Sequence, residues 1–288
     1  VLLEKTINAT NAETFTMIRN PAVAGQFYPQ QAKKLNETIA AFFPQDPQSS
    51  QRKDDVVAVI SPHAGYVYSG DVAAKTLWRV RDARTYIIIG PNHTGYGEEF
   101  SIMREGSWKM PLGDIAINTT LASRIVENSS IIEDDPQAHL HEHSLEVQLP
   151  FLQYMNKKQF DFVPIVIGGG TLRELKDIAK TIAAAVEDTR DCAVVASSDM
   201  SHYEPQSEVE SKDKLAISHI LALDEDALYE SIRHYGISMC GYASAVIAVS
   251  YARLKGARDA ELIHYHTSGD INGDYVSVVG YAGIAIRG

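Results

Sequence analysis

The chain has 288 residues, a formal net charge of −11 and an ordinary apolar content, enough for one large α/β domain with a sizeable core. The acidic balance argues against polyanion binding, so neither nucleic acid nor an anionic membrane face is an expected partner. No apolar run approaches the roughly 20 residues of a membrane span, the first residues carry no apolar signal core, and only Cys192 and Cys240 are present; a reducing, cytoplasmic setting is the expectation.

Residues 1–17 lack clear periodicity and read as an irregular N-terminal extension, leaving 18–288 as one domain. Gln31 to Phe43 has the apolar spacing of a short amphipathic helix, and Pro44 to Asp55 is a polar surface loop. Val56 to Ile60 is short, apolar and β-branched, the pattern of a strand buried on both faces. Pro62 ends it, His63 follows, and a helix is expected from about Asp71 to Trp78. Tyr86 to Ile89 repeats the pattern and leads into Gly90-Pro91-Asn92-His93. A helix over Thr120–Asn128 comes next, then a histidine-rich stretch from His139 to Glu146 that leads into another helix. Phe160 to Ile167 is a strand ending in Gly168-Gly169-Gly170, and Leu172 to Val186 is a strongly amphipathic helix. The glycines read as a turn, because no Lys-Ser/Thr follows to make a phosphate loop. Cys192 to Ala196 is a further buried strand, running into Ser197-Ser198-Asp199-Met200-Ser201-His202. Three helices then precede two terminal strands, at Glu261–His266 and Tyr275–Ile286. Strands alternating with helices predict a single α/β domain with a central, mostly parallel sheet flanked by helices.

Three buried strands each deliver a histidine just past their carboxyl ends, where open α/β sheets place their chemistry. His63, His93 and His202 are therefore expected to share one cleft. The candidate metal ligands are His63, His93 and Cys240, a donor set suited to zinc, copper or iron(II) and not to magnesium or calcium. Asp199 or Glu146 is the alternative third ligand. His202 suits a general base or proton shuttle, and Asp199 could orient a histidine. His141, His143 and Glu146 read as pocket or helix-capping residues, and Asn92 and Tyr66 as pocket residues flanking the candidate ligands. Cys192 belongs to the core, and His219, His234 and His264 read as surface or core histidines.

Five motifs carry a resemblance: Pro62-His63-Ala64-Gly65-Tyr66, Gly90-Pro91-Asn92-His93, Glu142-His143-Ser144-Leu145-Glu146-Val147, Ser197-Ser198-Asp199-Met200-Ser201-His202-Tyr203 and Met239-Cys240-Gly241. Their order resembles the Memo family, proteins related to the mediator of ErbB2-driven cell motility, from about Arg19 to the C-terminus. The wording is similar to that of the archaeal branch, which implies a radical-SAM protein as a partner. The resemblance implies a fold similar to class III extradiol dioxygenases and a pocket of His63, His93, Asp199, His202 and Cys240. It also implies copper or iron at His63, His93 and Cys240, with Cys240 standing where the dioxygenases use a carboxylate. Two functions follow as expectations. One is a metal-dependent oxidoreductase acting on a small molecule; the other is a non-catalytic module that holds a peptide, an anion or a metal ion in the same cleft.

Overall fold

The computed structural model describes residues 2–7, 13–43, 55–156, 158–187 and 190–288. The polar loop expected over 44–55 falls almost entirely outside them. In chain order the first elements are β1 (Leu2–Ile7), β2 (Glu13–Arg19), α1 (Ala32–Phe42), β3 (Val56–Ser61), α2 (Tyr66–Leu77), β4 (Thr85–Pro91) and β5 (Phe100–Ile102). Short strands β6 (Ser107–Trp108) and β7 (Ile115–Ala116) precede α3 (Thr119–Glu127), β8 (Glu133–Asp134), α4 (Leu149–Met155), β9 (Asp161–Ile167) and α5 (Leu172–Ala185). The C-terminal part runs β10 (Cys192–Ser197), β11 (His202–Glu204), α6 (Gln206–Leu221), α7 (Glu225–His234), α8 (Tyr242–Leu254), β12 (Asp259–Thr267), α9 (Gly269–Asn272) and β13 (Val278–Arg287).

The main sheet has the order β11-β13-β3-β10-β4-β9-β5-β8, with β12 on β13. The four runs read as buried strands lie side by side as β3, β10, β4 and β9, all parallel, in register Val194↔Ala58, Val194↔Ile87 and Ile87↔Val163. Every residue of β3, β4 and β10 is buried, as their unbroken apolar runs require. The sheet as a whole is mixed, not mostly parallel. β13 runs antiparallel to β3, β12 and β11 run antiparallel to β13, and β5 runs antiparallel to β9. The terminal strands follow one another through a short connection, which can only close an antiparallel pair. That pair adds to the edge of β3.

Two further expectations are corrected. The extension read as irregular contains β1 and β2, paired antiparallel from Leu2↔Ile18 to Ile7↔Glu13, and β2 continues into a small sheet with β6 and β7. Helix α2 begins at Tyr66, five residues before the polar signal at Asp71. Its first turn, Tyr66-Val67-Tyr68, has strand-like propensity, but burial decides. Tyr66 is buried, stacked on Phe151 with ring centroids 4.4 Å apart, and its N–H donates to the Phe27 carbonyl at 2.8 Å.

Parallel strands bring their carboxyl ends to one edge. Ser61 of β3, Ser197 of β10 and Pro91 of β4 end there side by side, and their following loops carry His63, Asp199 to His202, and His93. Because β13 is antiparallel to β3, its first residues reach the same edge. No helix among the described residues is long and apolar enough to cross a membrane.

Beneath this edge lies a fully buried ion pair. Arg19 Nη1 donates to Glu146 Oε2 at 2.5 Å, with both side chains at 0% exposure. The guanidinium also donates to the carbonyls of His139 (2.8 Å) and Glu142 (2.6 Å) and lies over the Trp108 ring. Glu146 further accepts from the N–H groups of Ala22 and Val23 and from the Tyr28 hydroxyl. Removing one partner of such a pair leaves a charge buried without compensation. Arg19→Met should therefore lower unfolding free energy by about 3–5 kcal/mol in denaturant titration, and an unchanged midpoint would contradict this. His139 gives a pH signature. Burial, with Arg19 nearby, lowers its pKa from 6.5 to about 3, so the folded protein holds it neutral. The unfolded chain binds that proton below about 6.5, so its share of stability is full above 6.5 and is lost as pH falls toward 3. His139→Leu should reduce the proton uptake on acid unfolding by about one, read from the slope of stability against pH.

Candidate metal centre

A cleft of about 660 Å³ opens at the carboxyl edge of the sheet, lined by Phe27, His63, Ala64, Gly65, His93, His143, Asp199, His202, Tyr203, Ser238, Cys240, Val279 and Tyr281. The three histidines expected to converge do so. The His63 and His93 rings lie 5.1 Å apart at 75°, and His202 joins the same lining from β11. His143 completes the group, stacked on His93 at 4.7 Å and edge-on to His63 at 5.5 Å. Ring nitrogens of His63, His93 and His143 lie within 4.8 Å of one another.

Hydrogen bonds fix which nitrogen of each ring carries the proton. Ser197 Oγ donates its proton to the Ser144 carbonyl at 2.6 Å, so at 2.9 Å it accepts from His63 Nδ1. Gln148 Nε2, which also bonds the Pro62 carbonyl, donates to the same oxygen at 2.8 Å. His63 Nε2 is left with its lone pair in the cleft. Burial, followed by the neighbouring His93, His143 and His202, pushes the His63 pKa well below its ordinary value, so the ring is neutral. His93 Nδ1 donates to Glu142 Oε1 at 3.0 Å, which leaves Nε2 as the nitrogen not engaged by that carboxylate. His202 Nδ1 donates to the Ser238 carbonyl at 2.8 Å, and its N–H to Ser238 Oγ at 2.7 Å.

Glu142 is the functional residue that reading the sequence missed. Its side chain is buried and accepts from the N–H groups of His93 (2.5 Å), His143 (2.8 Å) and Ser144 (2.8 Å) as well as from His93 Nδ1. Burial raises its pKa, but the bond from His93, the nearby His93 and His143 rings and the Ser144 N–H outweigh it and hold the carboxyl at about 2. The signal available was its place inside Glu142-His143-Ser144, but its partner His93 lies 49 residues away.

Asp199 Oδ1 accepts from the His63 N–H at 2.7 Å. Burial raises its carboxyl to about 6, against the N–H groups of His63 and Ala64 and the His202 ring. Cys240 Sγ lies 3.2 Å from His63 Nε2 and accepts from the Asp199 N–H at 3.3 Å. Burial and the Asp199 carboxylate push its thiol pKa up, so it is protonated and donates to the His63 lone pair. The next residue, Gly241, packs so tightly against β10 that any Cβ there would collide with the Ser197 carbonyl oxygen. Cys192 is buried at the opposite end of β10, and both thiols are free.

Four expected pocket residues do not line the cleft. Asn92 caps its own turn, accepting from Thr94 and Gly95 through Oδ1. Tyr66 is in the core, its hydroxyl donating to the Val147 carbonyl. Glu146 is spent on Arg19 and the 22–28 segment, which removes it as a third ligand. His141 is exposed, because the side chains diverge where the chain leaves the 3-10 turn ending at His139: His139 enters the core, His141 meets solvent and His143 enters the cleft.

The donor chemistry fits a transition metal. Imidazoles with one nitrogen pinned, by Ser197 on His63 and by Glu142 on His93, are arranged as supporting partners arrange metal ligands. The 3.2 Å between His63 Nε2 and Cys240 Sγ is close to the roughly 3.5 Å that separates a nitrogen and a sulfur on one tetrahedral ion.

An α/β protein with a histidine-lined cleft at the carboxyl ends of parallel strands is thus defined. Among known proteins, the Memo-like protein family matches residues 19–285. A MEMO1 family protein of Methanopyrus kandleri is 40% identical over 281 residues, covering 94% of this chain and 99% of its own. Those of Desulfurococcus amylolyticus (43% over 277 residues, 92% and 98% covered) and Archaeoglobus fulgidus (42% over 272 residues, 94% and 100% covered) are similar over the same extent. The chain belongs to the Memo family.

Replacing Glu142 by Gln keeps the shape and removes the charge that His93 Nδ1 and three N–H groups share. Glu142→Gln should fold yet bind zinc about 10–100-fold more weakly in a competition titration. Parent-like affinity in a folded variant would mean that Glu142 does not support a ligand.

Proposed function

We propose that the protein is a metal-dependent redox protein that holds copper or iron through His63, His93 and Cys240 and acts on a small molecule in the cleft. The observation that carries this reading is the 3.2 Å contact between Cys240 Sγ and His63 Nε2, with the His93 ring 5.1 Å from that of His63 in the same cleft. A bound copper or iron ion would supply one-electron chemistry; zinc fits the same donors. Binding replaces the Cys240 proton, so the metal and protons compete for the sulfur.

The remaining residues have roles of their own. His202 lines the cleft with Nδ1 held by the Ser238 carbonyl, an arrangement that suits its Nε2 for proton transfer with a substrate. Asp199, with its carboxyl raised to about 6, orients His63 through the backbone and exchanges protons near neutral pH. Phe27, Val279 and Tyr281 give the cleft an apolar wall, and neither Lys nor Arg is among its lining residues. That favours a neutral small molecule over an anion or a phosphorylated peptide. A relation to class III extradiol dioxygenases is part of this reading, supported by the parallel strands that end at the cleft. The free thiols suit a cytoplasmic setting.

One observation favours a different third donor: His143 closes a three-imidazole set with His63 and His93. Against it, His143 lies stacked on His93 with only 26° between the ring planes. In-plane lone pairs of stacked rings run side by side and do not converge. Copper(I) titration of Cys240→Ser, His143→Ala and Cys192→Ser against the parent, with oxygen uptake measured in parallel, tests the assignment. Cys240→Ser should lose more than the roughly 10–100-fold typical of a supporting residue, together with metal-dependent oxygen uptake. Cys192→Ser should bind copper as the parent does and lose about 1–3 kcal/mol of stability for an unpartnered buried hydroxyl. Parent-like copper binding by Cys240→Ser with loss in His143→Ala would move the third ligand to His143. Tight metal binding with no uptake on any small reductant would mark a holder of metal and not a catalyst.

A further inference from the structure

A second group of metal-ligating side chains lies outside the cleft, where α2 packs across β12. On a strand, residues two apart share a face, and His264 and His266 of β12 meet Asp71 of α2 there. All three are half-buried, and each can offer one ligand atom within 4.8 Å of the other two. His264 Nε2 is 3.1 Å from Asp71 Oδ2, and the two histidine rings stand edge to face at 5.5 Å. Two ligand atoms on one tetrahedral ion lie about 3.3–3.5 Å apart, so this pair already has nearly that spacing.

Hydrogen bonds decide which ring nitrogens could meet an ion. A carbonyl can only accept, so His266 Nε2 donates to the Tyr68 carbonyl at 2.8 Å, which leaves Nδ1 as the nitrogen available to an ion. Burial, with Lys75 next, lowers the His264 pKa, which favours the neutral ring; its Nε2–H donates to Asp71, and an ion bound between them would take that proton's place. One cation already competes: Lys75 Nζ is 2.7 Å from the same Asp71 oxygen. That pair is an i,i+4 contact with side chains 39% and 35% exposed, weakly held and readily exchanged for an ion.

We propose that Asp71, His264 and His266 form a second site for a divalent transition metal ion of the zinc, cobalt or nickel kind. Two imidazoles and one carboxylate select such ions over magnesium and calcium, and half-exposure leaves room for water to complete the shell. The ion would tie α2 to β12. Both elements support the cleft wall, since α2 follows directly on the loop that carries His63, and the His266 ring lies 5.7 Å from that of Tyr281, which lines the cleft. The site does not depend on metal binding in the cleft.

The test uses the full chain, free of any polyhistidine tag, carrying His63→Ala, His93→Ala and Cys240→Ser so that the cleft lacks its proposed ligands. Calorimetric titration with zinc should give one equivalent in this background. Adding His264→Ala and His266→Ala should abolish it, Asp71→Asn should weaken it by about tenfold or more, and Lys75→Ala should tighten it severalfold by removing the competing ammonium. Cobalt(II) should give a ligand-field absorption that disappears with the histidine pair. Circular dichroism checks that the variants fold, and the Lys75→Ala gain does not depend on any loss of structure. The proposal is overturned if the background protein binds no zinc below about millimolar concentration, if the stoichiometry survives loss of both histidines, or if Lys75→Ala leaves the affinity unchanged.

Discussion

The Glu142 carboxylate is the constraint on which the site depends. A buried charge must be surrounded by donors, and Glu142 gathers three backbone N–H groups and an imidazole N–H. Satisfying it fixes the 142–144 turn against the loop after β4, and so fixes His93 and His143 together. The same turn reaches β10. Ser144 Oγ donates to the Pro91 carbonyl, and the Ser144 carbonyl accepts from Ser197, which in turn receives the His63 proton. One hydrogen-bonded path therefore runs from Glu142 to His63 and sets the tautomers at both ends. Arg19 holds the far side, through the carbonyls of His139 and Glu142 and the carboxylate of Glu146.

The parallel core explains why these groups meet. Strands β3, β10 and β4 are adjacent and end at one edge, so loops distant in sequence become neighbours in space. Burial favours the neutral His63 ring and the protonated Cys240 thiol. If Cys240 and His63 hold a metal as proposed, the Cys240 proton must leave first, so affinity and pH would be coupled at that bond.

Much of this was legible in the sequence. Unbroken apolar runs marked β3, β4, β9 and β10, and the position of a histidine just beyond a buried strand marked His63, His93 and His202. The rest depends on contacts that no local pattern encodes. Glu142 and Ser197 act on partners 49 and 53 residues away, and their neighbours in sequence give no sign of it. Glu146 has the chemistry of a ligand, yet Arg19, 127 residues earlier, claims it. Asn92 and Tyr66 flank the candidate ligands, but one bonds its own turn and the other enters the core. The mixed character of the sheet was hidden for the same reason. Periodicity gives the terminal strands but not the direction of their pairing, and the strands near the N-terminus gain their place only by pairing with each other and with β6.

X-ray absorption at the zinc edge tests the central claim most directly. The sample is protein carrying His264→Ala and His266→Ala, loaded with one equivalent of zinc. The account predicts one sulfur neighbour at about 2.3 Å with nitrogen neighbours at about 2.0–2.1 Å, and loss of the sulfur signal in Cys240→Ser. A shell of nitrogen and oxygen alone, unchanged by that substitution, would contradict it.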